Sequence, residues 1–133
     1  MRLKVAVAIV AWVGLSNLAT AQEWTPVTQN QMGTMFFVSD DSVRIVNAYR
    51  RAWIMMDYKE SETRARSVKM LWEVDCAEER KRTLTAAAYS GQRGAGDNVY
   101  SQDQPSDWEY PVTETAGYTV LQMICKAPVR SEK

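Results

Sequence analysis

The sequence contains no histidine and only two cysteines, and both shortages exclude common kinds of catalytic and metal-binding site. Without histidine the chain cannot build a Cys–His pair, a Ser–His–Asp triad or a histidine-ligated metal site. Acid–base chemistry by carboxylates survives, and its candidates are Asp57, Glu73, Asp75, Asp103, Asp107 and Glu109. Most of these fall at strand ends, on polar faces or in loops, where solvated carboxylates are ordinary. We therefore expect no enzyme, no metal and no cofactor.

An excess of one charge is also lacking, because sixteen basic residues balance sixteen acidic ones. Such a chain has no overall field that would attract nucleic acid or an anionic membrane. Long hydrophobic runs are missing too, since the apolar stretch 5–15 is shorter than the roughly 20 residues that a membrane-spanning helix needs. Neither nucleic acid nor a transmembrane span is therefore predicted.

Residues 1–21 have the organisation of a signal peptide. Arg2 and Lys4 precede the apolar run, and a polar segment then ends in the small residues 19–21, Ala-Thr-Ala. Cleavage before Gln22 would leave residues 22–133 as one exported domain, in the periplasm, at the cell surface or secreted. No cysteine lies near this cleavage site, so the sequence does not predict a lipid anchor.

Cys76 and Cys125 are expected to form a disulfide bond, because export brings the chain into an oxidising compartment. A redox-active pair is the alternative, but it usually needs a Cys-x-x-Cys motif, which is absent. Closing a loop of roughly 50 residues would stabilise the fold by about 4 kcal/mol. The bridge should therefore be structural.

Apolar and polar residues alternate with a period of two in several segments, which predicts strands with one buried face. The predicted strands are 34–38, 48–58, 67–76 and 80–90. The charged residues 77–80 predict a hairpin turn, and the glycine-rich residues 91–98 predict a mobile loop.

One helix is predicted near the C-terminus. Its apolar stripe has helical spacing and consists of Gly117, Val120, Leu121, Ile124 and Cys125. Thr113 is the expected N-cap, and Pro128 lies just beyond the end. The predicted fold is α+β, an antiparallel β-sheet with a C-terminal helix tethered to one face by the disulfide Cys76–Cys125.

Several features occur in an order that resembles the surface-adhesin E family, from about Trp24 to Lys126. They are Asp40 after an apolar strand, Trp53, Val74-Asp75-Cys76, Tyr89-Ser90, Trp108 and Ile124-Cys125. The resemblance implies a sheet with a disulfide-tethered helix, and a surface protein that binds host matrix and serum proteins. The founding member is lipid-anchored, whereas this chain lacks the lipidation cysteine. A periplasmic structural or accessory domain is therefore the alternative.

Five tryptophans and six tyrosines are more than a small core needs. Trp53, Trp108 and Tyr110 are the candidate binding residues, because aromatic side chains make good interface anchors. Packing is the alternative, in the core for Trp53 and against the helix start for Trp108 and Tyr110. Residues 53–56 are apolar on both faces of their strand, which predicts a second layer or a homodimer. We therefore expect a non-catalytic exported envelope binding domain with a protein or envelope ligand.

Overall fold

The computed structural model describes residues 8–9, 22–61 and 63–129 of the chain. Apart from residues 8–9, the expected signal peptide lies outside the described residues, and it stays a prediction. In the described part of the chain, one helix packs on one antiparallel sheet. The predicted α+β class is therefore confirmed.

The sheet has seven strands within the described ranges. They are β1 (Thr25–Gln29), β2 (Met35–Val38), β3 (Arg44–Val46), β4 (Tyr49–Asp57), β5 (Ser67–Asp75), β6 (Arg80–Tyr89) and β7 (Asn98–Gln102). Their order is β1-β2-β4-β5-β6-β7, and every pairing is antiparallel. Strands β2 and β3 share one edge of β4, because β2 pairs with residues 54–57 and β3 with residues 49–51.

The predicted alternation holds in the two central strands. Ala52 and Ile54 on β4 are fully buried on the same face as Trp72 and Val74 on β5. These side chains share a face because directly opposed residues of an antiparallel pair point the same way, and Ala52 is opposite Trp72. The other residues of β4 and β5 therefore point to the opposite face of the sheet.

The helix α1 (Ala116–Lys126) covers the first of these faces. The core between helix and sheet consists of Phe36, Val38, Val43, Ala52, Ile54, Trp72, Val74, Val120, Leu121 and Ile124. The predicted stripe is thus correct at its centre, since Val120, Leu121 and Ile124 are its fully buried residues. Burial of this apolar surface is the main force that holds the helix in place.

The N-cap of the helix lies two residues later than predicted. Thr115, and not Thr113, is the N-cap, and its hydroxyl oxygen accepts a hydrogen bond from the Tyr118 backbone N–H. Glu114 has φ of 69°, a left-handed conformation that a right-handed helix cannot include. The expected cap at Thr113 was therefore wrong.

The C-terminal end of α1 is fixed to the sheet in two ways. The disulfide Cys76–Cys125 joins the residue after β5 to the last turn of the helix, and its Cα atoms lie 5.8 Å apart. Arg50 on β4 also donates hydrogen bonds from Nη1 to the carbonyl oxygens of Ile124 and Ala127, at 2.9 and 2.8 Å. The predicted tether is thus confirmed, and Arg50 caps the helix C-terminus in addition.

The glycine-rich residues 91–98 are held against the sheet, whereas the sequence predicts a mobile loop. They include a 3₁₀ turn, Gln92–Gly94. The Arg93 backbone N–H donates to Asp57 Oδ1 at 2.7 Å, and the Gly94 N–H donates to Ser67 Oγ at 2.9 Å. Gly94 has φ of 73°, a left-handed conformation that residues other than glycine rarely adopt. Glycine therefore serves the shape of a fixed turn here, and not freedom of movement.

Candidate binding face

The face of the sheet opposite α1 is called the open face here. Its central residues follow from the strand register. They are Phe37 on β2, Arg51, Trp53 and Met55 on β4, Lys69, Leu71 and Glu73 on β5, and Arg80, Arg82 and Thr85 on β6. Among the described residues, no α-helix packs on this face. It is therefore the broad surface on which a partner could lie.

One end of the open face is closed by the turn Gln92–Gly94. The Arg93 guanidinium lies 4.5 Å from the centroid of the Phe37 ring, in a cation–π contact, and its Nε is 3.5 Å from Asp57 Oδ2. Met55 is fully buried although it points to the open face. This end is thus a small second core, and it does not offer free apolar surface.

The centre of the open face is apolar and half-buried. Trp53 is opposite Leu71 on β5, and Leu71 is in turn opposite Thr85 on β6. The Thr85 hydroxyl donates to the carbonyl oxygen of Gln102 at 3.0 Å, so a side chain of β6 on this face is hydrogen-bonded to β7. Trp53 is therefore neither a buried core residue nor a fully exposed one.

The other end of the open face is built on ion pairs. Glu73 lies between two strands that each supply an arginine: Arg51 Nε donates to its Oε2 at 2.9 Å, and Arg82 donates from Nε and Nη2 to its Oε1 at 2.9 and 2.6 Å. The Glu73 side chain is 3% exposed, but those of Arg51 and Arg82 are 30% and 32% exposed. The carboxylate is buried, and the guanidinium groups form the surface.

The neighbouring ion pair is formed by Arg80 and Asp75, whose side chains are 25% and 10% exposed. Arg80 Nε donates to Asp75 Oδ2 at 3.0 Å, and this hydrogen bond is the largest cause of the raised pKa of Arg80. Arg44 on β3 adds a further cation, since it is exposed and opposite Arg51 in the register. Arg44, Arg51, Arg80 and Arg82 are called the arginine cluster.

Trp108 lies against the arginine cluster. Its ring centroid is 4.3 Å from Cζ of Arg80, 4.7 Å from Cζ of Arg82 and 5.1 Å from the ring of Tyr49. The backbone explains its position, because Glu109 pairs with Lys81 through two hydrogen bonds and extends the sheet beyond β6. Trp108 thus packs on the open face and not against the helix start.

The structure places the three predicted binding residues in different surroundings. Trp53 and Trp108 belong to the open face. Tyr110 is 63% exposed and lies at the edge of the sheet, where it lines a cavity of about 340 Å³ together with Trp72 and Lys81. It is also close enough to Arg80 to add, after Asp75, to the raised pKa of that guanidinium. The arginine cluster is not predicted from the sequence. Arginines at the alternate positions 80 and 82 were a signal for it, but only the register brings Arg51 and Glu73 beside them.

The described residues contain no cluster of three or more histidine, cysteine or acidic side chains that could hold a metal ion. Several candidate carboxylates are paired with bases, since Glu73 and Asp75 contact arginines and Glu109 Oε2 lies 2.6 Å from Lys81 Nζ. In the ranges that the structure describes, no helix has the length and apolarity to cross a membrane. Glu73, Asp75 and Glu109 are therefore engaged in ion pairs within the sheet.

The family model of surface-adhesin protein E matches residues 24–126 of the chain. The chain belongs to the surface-adhesin protein E family. The match includes all seven strands, the helix and both cysteines. The predicted resemblance to this family is thus confirmed, and an adhesin family is one in which we expect binding and not catalysis.

Solved structures of Haemophilus influenzae protein E share the fold of this surface-adhesin protein E family member. Crystal form II has a TM-score of 0.59 and 18% identity, over 81% of this chain and 94% of that chain. Protein E from non-typeable Haemophilus influenzae has a TM-score of 0.54 and 17% identity, over 77% of this chain and 74% of that chain. No curated protein matches the chain. At such identities the likeness concerns the fold alone.

Proposed function

We propose that the protein is a non-catalytic exported binding domain that recognises a host or envelope protein over its open face. The observation that carries this proposal is the difference between the two faces of the sheet. One face is filled by α1, whereas the other keeps Trp53, Trp108 and three guanidinium groups partly exposed. Tryptophan, tyrosine and arginine are the residues most enriched in binding hot spots.

Family membership supports an adhesive role, because the matching model describes a surface adhesin. The proposed export to the periplasm, the cell surface or the medium rests on the expected signal peptide. The expected lack of a lipid anchor favours a second candidate, a periplasmic structural or accessory domain with no adhesive role. Access from outside the cell distinguishes the two.

The first experiment is therefore protease shaving of intact cells that express the native precursor. An antibody against the mature domain reads the result, and a known periplasmic protein controls for leakage. Loss of the domain while the control survives is the expected result. Full protection of both proteins would contradict surface display and would leave the periplasmic candidate.

The second experiment locates the binding face. Purified host matrix and serum proteins are immobilised, and binding of the exported protein is compared with that of Trp53→Ala and Trp108→Ala. Each substitution should weaken binding by about 30-fold, the loss of a hot spot worth about 2 kcal/mol. Tyr100→Ala is the matched control, since Tyr100 on β7 is 60% exposed and is opposite Ala88, a residue of the helix face, and it should bind like the wild type.

A second copy of the chain is another partner that the apolar residues 53–56 favour. Ile54 lies in the core and Met55 under the turn Gln92–Gly94, so Trp53 is the member of this run that a second copy would contact. Light scattering of the wild type and of Trp53→Ala tests this. A dimer that becomes a monomer in the variant is the expected result, and a wild-type monomer at high concentration would contradict it.

A further inference from the structure

We propose that the arginine cluster, together with Trp108, docks an extended acidic polypeptide segment. This inference rests on the proposed function, and it names the chemistry of the partner at the open face. Three observations carry it: the burial of the carboxylates, the distribution of charge over the chain, and the spacing of the arginines.

The carboxylates lie beneath the surface while the guanidinium groups reach solvent. Glu73 and Asp75 are 3% and 10% exposed, and the three arginines that contact them are 25–32% exposed. A guanidinium group carries five N–H donors. Within the described residues, Arg51 and Arg80 each use one side-chain donor and Arg82 uses two. Donors thus remain at each arginine for an oxygen of a partner.

The charge of this end differs in sign from that of the chain. Without the expected signal peptide, which contains Arg2 and Lys4, the chain has slightly more acidic than basic residues. The arginine cluster has four cations, and the two carboxylates that contact it are buried. A partner approaching the open face therefore meets positive charge, which complements a carboxylate-rich segment.

The spacing of the arginines matches an extended peptide. Arg80 and Arg82 are alternate residues of β6, so their Cα atoms lie about 6.8 Å apart along the strand. Alternate side chains of an extended peptide repeat at the same distance. Carboxylates at alternate positions could each meet one guanidinium, a pairing that is often bidentate. Trp108 lies beside both arginines and offers its ring to a side chain of the same peptide.

A peptide fits this surface better than a lipid bilayer does. Arg51, Arg80 and Arg82 are hydrogen-bonded to Glu73 and Asp75, so their guanidinium groups lie close to the sheet and do not extend from it. A bilayer attracts basic side chains that reach its surface, whereas a single extended chain can lie in contact with the sheet. The proposed partner is therefore an acidic protein segment.

The test uses fluorescence polarisation with a labelled octapeptide of alternating glutamate and serine. The protein is purified after export, with its disulfide intact. We expect the peptide to bind, and we expect binding to weaken as salt is raised. A peptide of alternating glutamine and serine is the probe control and should not bind. Failure of the glutamate peptide to bind at low salt would overturn the proposal.

The variants locate the site. Arg82→Gln should weaken peptide binding about tenfold, because a charge-assisted hydrogen bond is lost. Arg44→Gln, which disrupts no buried pair, should weaken binding about threefold. Glu73→Gln should tighten binding, because it removes the buried negative charge. Arg64→Gln, an exposed arginine between β4 and β5, is the matched control. Equal loss in Arg64→Gln and Arg82→Gln would overturn the proposal.

Two further probes decide the class of partner. Heparin and vesicles of 30% phosphatidylglycerol are compared with the peptide. Tighter binding of either probe, lost in Arg82→Gln, would overturn the assignment to a polypeptide. The immobilised matrix and serum proteins separate this inference from the proposed function. If they bind through Trp53 while the peptide does not bind, the inference fails and the proposed function stands.

Discussion

The two faces of the sheet arise from the same strands but differ in what covers them. On β4, Ile54 points to the helix face and is fully buried, whereas its neighbour Trp53 points to the open face and is half-buried. The helix face is sealed by apolar packing, a disulfide and the cap by Arg50. The open face consists largely of ion pairs and aromatic rings that solvent partly reaches. Stability should therefore depend mostly on the first face, and binding on the second.

The largest effect should come from loss of the tether on the helix face. The double substitution Cys76→Ser and Cys125→Ser should lower the free energy of unfolding by about 4 kcal/mol, because the bridge closes a loop with a sequence separation of 49 residues. Urea denaturation of the exported protein measures this loss. A loss below about 1 kcal/mol would show that packing alone holds α1 on the sheet.

A matched pair of leucines compares the packing of the two faces. Leu121 of α1 is fully buried, and Leu71 on the open face is half-buried. Leu121→Ala should cost about 3 kcal/mol, because it leaves a cavity in the core. Leu71→Ala should cost about 1 kcal/mol, since solvent already reaches this residue. Equal losses in urea denaturation would remove the distinction between the faces.

Arginines on the two faces should also differ. Arg50→Gln should destabilise the protein by about 2 kcal/mol, because two helix carbonyls lose a charged donor. Arg44→Gln makes the same chemical change at an exposed position beside the open face, and we expect a loss within about 0.5 kcal/mol. Thermal melting of both variants tests this. A comparable loss in the two variants would contradict the capping role of Arg50.

The smallest effect concerns alkaline pH. Burial raises the pKa of Tyr58, and burial followed by the charge of Glu79 raises the pKa of Tyr118, both above the ordinary value of 10.0. Both tyrosines therefore lose their protons more easily in the unfolded chain than in the folded one. The free energy of unfolding should be unaffected below about pH 10 and should fall as the pH rises from there through the folded pKa values. In the double variant Tyr58→Phe and Tyr118→Phe, the free energy of unfolding, measured by urea denaturation, should fall less steeply with pH. Tyr100→Phe on β7 is the control, and the same change there would contradict the assignment.

Much of the helix face could be predicted from the sequence, because burial on one side leaves a pattern along the chain. Alternation locates β4, β5 and β6, helical spacing locates α1, and the two cysteines predict the tether. The strands β1, β3 and β7 escape this reasoning. Strand β1 contains Pro26 and a register shift between Pro26 and Thr28, and β7 is largely polar, so pairing with neighbours and not apolar pattern defines them.

The open face could be predicted only in part. Trp53 falls on this face by parity, but the sequence does not show that Trp108 packs against Arg80 and Arg82. The arginine cluster depends on register, because Arg51, Glu73 and Arg82 come from three different strands. The glycine-rich residues 91–98 suggest mobility, while their contacts with Asp57 and Ser67 depend on tertiary structure.

The separation of stability from binding is tested most directly by one pair of tryptophan variants, Trp53→Ala and Trp72→Ala. For each, the melting temperature is measured along with binding to the immobilised matrix and serum proteins, below the melting temperature. Trp53→Ala should melt near the wild type and lose binding. Trp72→Ala should melt more than about 10 °C lower, because truncating a core tryptophan costs about 3–5 kcal/mol, and should still bind while folded. Wild-type binding by Trp53→Ala, or lost binding by folded Trp72→Ala, would contradict the assignment of binding to the open face.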